Sequence, residues 1–221
     1  MRTAKLILAA ALLSGLTACS SLSKIGIGKG GVRNTADLYV KALVNKDGNA
    51  AVKLNDYLAK YQNAPGFIQQ AWLDKSPKPV SDNDPRLKLV KKNRQALKPM
   101  LAEMDNIVAQ SVYAAGCNTK AGKVTAQKNG KPKAKVAELV MTCKVPAASD
   151  PTRQALNTVK LEDTAALQKV IAQWKNDVVS GVNIKTVEVP FQLYSDKNTP
   201  WSNPNITQII RPVTEAAAGL R

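Results

Sequence analysis

The stretch CNTKAGKVTAQKNGKPKAKVAELVMTC, residues 117–143, decides the fold. At its centre Asn129-Gly130 supplies the positive φ angles that tight hairpin turns require. With a three-residue loop centred on Gly130, residues whose numbers sum to 260 face each other, and Cys117 and Cys143 satisfy that sum. The turn and the cysteine pair therefore predict one another: an antiparallel hairpin closed by a disulfide, which in the chain-entropy model contributes roughly 3–4 kcal/mol. The same pairing puts Val124, Ala126, Ala134 and Val136 on one face of the tip, and Lys123, Lys131, Lys133 and Lys135 on the other. No acid occurs from Lys120 to Lys135. Such a tip can touch phosphates, and it equally discourages pairing with a foreign strand. No aromatic residues interleave the lysines, so stacking on single-stranded bases has no support.

Upstream, the pattern is helical. Leu89, Val90, Leu97, Met100, Leu101, Met104, Ile107 and Val108 share one side at 100° per residue, which predicts a long helix from Pro85 to about Tyr113. Pro99 should kink or restart it. Lys88, Lys91, Lys92, Arg94 and Lys98 lie off the apolar stripe as a cationic face, either simply solvated or anion-binding. Before it, Pro77, Pro79 and Pro85 bracket Ser81-Asp82-Asn83-Asp84. Those acids lack the distal glutamate of a calcium loop and read as a turn and helix start. Downstream, Pro146 to Thr152 is a loop by composition. Leu167, Val170, Ile171, Trp174 and Val178 then form a helical stripe that starts at Glu162/Asp163 and stops at Gly181. Val187, Val189, Phe191 and Leu193 alternate as a strand, with Pro190 marking an edge or bulge. Trp201 sits in a proline-punctuated tail, a candidate for packing over the core or for contact. The architecture expected is α+β: three or four helices on a small antiparallel sheet that contains the disulfide-linked hairpin.

Asn34 is placed to cap a first helix, with Asp37 in its first turn and Leu38, Ala42, Leu43 and Val44 on its stripe. Lys46-Asp47-Gly48-Asn49 breaks it, and Ala51, Leu54, Leu58 and Tyr61 continue as a second helix. This Asn34–Tyr61 stretch resembles the opening helices of NTF2-like domains. The resemblance implies a cup for a small ligand and carries no site residue with it.

The amino end speaks to location. Arg2 and Lys5 precede the apolar run Leu6 to Leu13, and Leu16-Thr17-Ala18-Cys19 follows. That run is too short to span a bilayer and reads as a secretory signal. Leu16-Thr17-Ala18-Cys19 resembles the lipobox of bacterial lipoproteins. The resemblance implies cleavage before Cys19 and its acylation by a diacylglyceryl group and an amide-linked chain (palmitate or a similar acid), which together hold a protein at a membrane. Ser20, not Asp, follows the cysteine, which implies the outer membrane, facing the periplasm. Residues 1–18 are then signal peptide, 19–33 anchor and a flexible glycine-containing tether, and 34–221 a single α+β domain. With Cys19 acylated, Cys117 and Cys143 remain as one pair in an oxidising compartment.

Charge and composition narrow the chemistry. The chain has 32 basic and 16 acidic residues, and loss of residues 1–18 leaves a net +14. A field of this sign gathers anionic partners: lipopolysaccharide, phospholipid or wall polymer. It serves solubility as well. There is no histidine, which excludes a Ser-His-Asp triad, a Cys-His pair and His-ligated zinc. Two cysteines are too few for a thiolate metal site, and no phosphate-cradling glycine loop or dinucleotide fingerprint occurs, so neither metal nor cofactor is expected. The reading is a non-enzymatic, lipid-anchored envelope accessory protein that meets an envelope protein or anionic polymer. Candidate anion contacts are Lys91, Arg94, Lys98, Lys131, Lys133 and Lys135; specific nucleic-acid binding is not expected. The alternatives are the small-ligand cup and a wall- or lipid-acting hydrolase built on carboxylates such as Asp82/Asp84 or Glu162/Asp163.

Overall fold

Cys117 and Cys143 are joined across two adjacent antiparallel strands, β1 (Gly116–Ala126) and β2 (Lys135–Pro146). The structure, a computed structural model, describes residues 29–61, 64–126, 134–196 and 199–219. Cys19, the Asn129-Gly130 turn, Lys131 and Lys133 lie outside the described residues. From Gly116↔Lys144 to Ala121↔Leu139 the strands keep the expected pairing; at Val124↔Ala137 it has moved by one residue. Gly122 and Lys123 form the bulge, and an added Cβ on Gly122 would sit 3.0 Å from the Glu138 carbonyl oxygen. This corrects the grouping of the tip. A one-residue slip exchanges faces, so Val124 joins buried Ala137 on the core side while Val136 lies opposite Thr125 on the outer side.

Strands β3 (Ile184–Asp196) and β4 (Thr199–Ser202) complete a four-stranded antiparallel sheet in the order β1-β2-β3-β4. Its inner face buries Ala137, Leu139, Met141, Cys143, Val145, Val187, Val189 and Leu193, and its outer face is open to solvent. β4 pairs only with Tyr194 and Asp196, so the earlier part of β3 is a sheet edge. In an antiparallel strand alternate residues turn their backbone groups outward. Asn203 Nδ2 donates to the Gln192 carbonyl at 2.7 Å, which puts Gln192 and Pro190 on the outward-turned set. Pro190 has no N–H to offer, and Asn203 occupies the next carbonyl, so the edge is blunted against a foreign strand.

Seven α-helices occur among the described residues, more than the expected three or four, because short ones join the long: α1 (Lys29–Leu43), α2 (Gly48–Leu58), α3 (Pro85–Lys88), α4 (Arg94–Ala114), α5 (Asp150–Thr158), α6 (Thr164–Ser180) and α7 (Ile210–Ala217). None is long and apolar enough to cross a membrane. α1 begins five residues before Asn34, with Gly30 and Gly31 inside it. Burial of Val32, Ala36, Tyr39, Val40 and Leu43 outweighs the cost of about 1 kcal/mol per helical glycine, and the body therefore reaches back into the expected tether. Asp37 Oδ1 accepts from the Thr119 hydroxyl, and Asn45 Nδ2 donates to the carbonyls of Tyr113 and Ala115 at 3.0 and 2.8 Å. These contacts run α1 antiparallel to β1. Asp47 caps α2 through the N–H groups of Asn49 and Ala50.

The expected long helix from Pro85 is two. The chain breaks at 89–93, where Asn93 adopts φ 61°, a left-handed conformation that asparagine tolerates. Leu89, expected on the apolar stripe, is 77% exposed as a result, while Val90 is buried. Pro99 falls in the second turn of α4, and the helix continues through it. α5 begins inside the expected loop of Pro146 to Thr152; Ser149-Asp150-Pro151 is its start signal, with proline among the first helical residues. α6 follows the expected stripe, capped by Asp163 and ended by Gly181 at φ 61°.

Two hydrophobic clusters result. One lies between the inner sheet face and α1, α2 and α7; the other joins Leu87, Val90, Leu97, Leu101 and Ile107 to Leu167, Ile171, Trp174 and Val178. Val108 of α4 packs against both. Trp201 is 1% exposed, in β4 and in the first cluster, so packing is its fate.

Buried Asp177 of α6 ties α5 in place. Its Oδ2 accepts from the Ser149 N–H at 2.9 Å and the Ser149 hydroxyl at 2.7 Å, and its Oδ1 from Gln173 Nε2 at 2.9 Å. Burial pushes this carboxyl up, but the hydrogen bonds from Thr152, Ser149 and Gln173 outweigh it and hold it at about 2. A depressed carboxyl stabilises the fold above its unfolded value of about 3.9, and that contribution is lost as pH falls through about 2. In denaturant titrations the wild type should lose stability between pH 4 and 2, and Asp177→Asn should lack that part of the acid slope. A second expected outcome concerns the bulge. Gly122→Val drives a branched side chain against the Glu138 backbone and should cost about 1–3 kcal/mol in the same titrations, whereas Lys123→Val costs little.

Candidate functional site

Three regions carry groups able to meet a partner: the paired carboxylates, the basic stretch at the start of α4, and a groove at the far end of the sheet. Of the four candidate carboxylates Asp82, Asp84 and Asp163 are engaged, and Glu162 is exposed. Asp84 caps α3 through the Arg86 N–H at 2.8 Å and accepts the Arg86 guanidinium through both oxygens at 3.0 and 2.7 Å. Arg86 also forks onto Asp105 at 2.7 and 2.8 Å. The Arg86 side chain and N–H hold the Asp84 carboxyl at about 2, while the two aspartates push the guanidinium further up. Asp82 pairs with Lys98, and Asp163 accepts from the Ala166 N–H at 3.0 Å. Asp84 and Asp105 both line a cleft of about 440 Å³ beneath the Pro77–Ser81 segment, yet they converge on Arg86 and not on open space.

The basic stretch divides differently from its sequence pattern. Lys88, Lys91, Lys92 and Arg94 are exposed around the break between α3 and α4. Lys98 is half-buried and committed to Asp82. Arg94 Nε donates to the Val90 carbonyl at 2.8 Å, fixing its direction. Asn93 makes no side-chain cap, and no acid occupies the first turn of α4, so its leading N–H groups face this stretch. Lys135 is exposed nine residues along β2 from Lys144, a span of about 30 Å at 3.3 Å per residue. It lies at the hairpin end, and among the described residues nothing joins it to Lys91, Arg94 and Lys98.

The groove has a volume of about 1140 Å³ and runs from the outer face of β2 and β3 to the segment after β4. Outward alternation on β3 places Pro190, Gln192 and Tyr194 on one wall; Asn203, Asn205 and Gln208 supply the other. The Tyr194 hydroxyl donates to Gln192 Oε1 at 2.7 Å. Asn203 bridges the walls: Nδ2 holds the Gln192 carbonyl and Oδ1 accepts the Asn205 N–H, each at 2.7 Å. Sequence reading missed these residues. The outward positions of Gln192 and Tyr194 follow from strand alternation, but their meeting with Asn203–Gln208 depends on β4 pairing back onto the end of β3. No protein-family model, curated protein or solved structure matches this chain.

Proposed function

We propose that this chain is a non-enzymatic, lipid-anchored protein of the cell envelope. In this reading Cys19 holds it at the outer membrane, facing the periplasm. Its folded body docks an anionic component, whether lipopolysaccharide, phospholipid headgroup or wall polymer, through Lys88, Lys91, Lys92 and Arg94. The observation that carries the reading is the unequal use of charge. Of the carboxylates a hydrolase would call on, Asp82, Asp84 and Asp163 serve as helix caps and ion-pair partners, and Glu162 stands exposed next to the Asp163 cap. The cations around the α3–α4 break stay exposed beside an uncapped helix start. Clustered lysines at an anionic surface each contribute about 1 kcal/mol and lose it to salt.

Two expected outcomes test this. The chain from residue 19 to 221 carrying Cys19→Ser should co-sediment with vesicles containing phosphatidylglycerol and not with purely zwitterionic ones. Adding Lys91→Gln and Arg94→Gln should weaken that binding about thirtyfold, the equivalent of two surface cations. Equal sedimentation with both vesicle types sinks the docking surface. Separately, mass spectrometry of the native product should find a chain that begins at Cys19 with an acylated thioether. A retained leader or an unmodified cysteine would undo the anchor.

A further inference from the structure

We propose that the groove between β3 and the segment after β4 binds a neutral, hydroxyl-rich saccharide chain. The protein carries a net charge of +16, yet the charged residues among the described lining of this groove are Lys135, Glu138 and Asp196. Among its described lining residues acids outnumber bases two to one, which gives a polyanion little to hold there. What the walls offer instead is amide and phenol. Gln192 gives its Oε1 to the Tyr194 hydroxyl and keeps its NH₂ to donate, while the Tyr194 oxygen remains able to accept. The Asn205 and Gln208 side chains make no hydrogen bond among the described residues, and Asn203 fixes the backbone that carries Asn205. A carboxamide presents a donor and an acceptor side by side, the pattern that matches neighbouring sugar hydroxyls. The exposed Tyr194 ring and Pro190 supply apolar faces for the C–H side of a sugar ring. The groove volume of about 1140 Å³ exceeds the roughly 300–1,000 Å³ of small-molecule pockets, which is room for several rings.

The chief rival occupant is an extended peptide added to the edge of β3. Such a strand draws its affinity from main-chain hydrogen bonds, and at this edge Pro190 has no donor and the Gln192 carbonyl is already held by Asn203. Side-chain recognition of a neutral polymer needs neither.

The test uses the chain from residue 19 to 221 carrying Cys19→Ser, ¹⁵N-labelled, with chitohexaose, maltohexaose, an extended hexapeptide and polyphosphate as probes. One of the two hexasaccharides should shift the amide resonances of Gln192, Tyr194, Asn205 and Gln208. That binding should be unchanged between about 50 and 300 mM salt, because no ion pair is involved. Tyr194→Ala and Gln208→Ala should each weaken it at least tenfold, and Lys91→Gln should leave it intact, which separates this site from the anionic docking surface. Asn205→Ala removes an exposed side chain and keeps the test decisive if either of the other variants unfolds. The proposal fails if neither hexasaccharide shifts these resonances, if only the peptide or polyphosphate does, or if all three groove variants bind as the wild type does.

Discussion

The cross-link between Cys117 and Cys143 fixes the register on which the rest of the molecule is laid. With those residues opposed, Met141 and Leu139 must point inward, and β3 can pair along β2 only with Val187 and Val189 on the same side. A slip of one position would turn that apolar row toward water. The β1–β2 pair tolerates its irregularity at Gly122 because it falls beyond the covalent pin and because glycine leaves room at the Glu138 carbonyl, which an added Cβ would crowd at 3.0 Å. Closing a loop of this size removes enough freedom from the unfolded chain to contribute about 3.5 kcal/mol, a large share of the 5–15 kcal/mol that holds a typical domain together.

From that frame the second cluster is a lateral addition. α4 leaves the first core, carries Val108 in contact with both clusters, and meets α6 on its other side. Asp177 then fastens α5 to α6 through Ser149 and Gln173. Buried polar contacts of this kind act at the joints between elements, where apolar packing alone leaves orientation loose. The double fork of Arg86 onto Asp84 and Asp105 does the same where α3 meets α4.

The parts legible in the sequence were those set by periodicity and by short-range chemistry. The stripe of α6 with its Asp163 and Gly181 ends, the break at Lys46-Asp47-Gly48-Asn49 and the Cys117–Cys143 pairing all follow from spacing along one or two elements. What failed to follow depended on contacts between distant residues. The bulge needs Gly122 to meet Glu138. The early start of α1 needs Val32 buried in the first cluster, and Leu89 is exposed because the helix breaks there, ahead of Asn93 at φ 61°. The start of α5 at Ser149-Asp150-Pro151 is obscured by the polar composition around it. Of the anion-binding set, Lys98 was lost to Asp82, a pairing that required α3 and α4 to be separate helices. The amide groove was hidden for the same reason: its two walls become neighbours only when β4 pairs back onto β3.

The antiparallel course of α1 along β1 has a mechanical consequence. A pull applied at Lys29 acts nearly along the helix axis and parallel to the strand. Val32, Tyr39 and Leu43, the Asp37 to Thr119 bond and the Asn45 contacts with Tyr113 and Ala115 would then have to slide together, in shear, instead of parting one after another. An element loaded in that direction resists as a unit, so a protein held by its leading end keeps its core closed under tension.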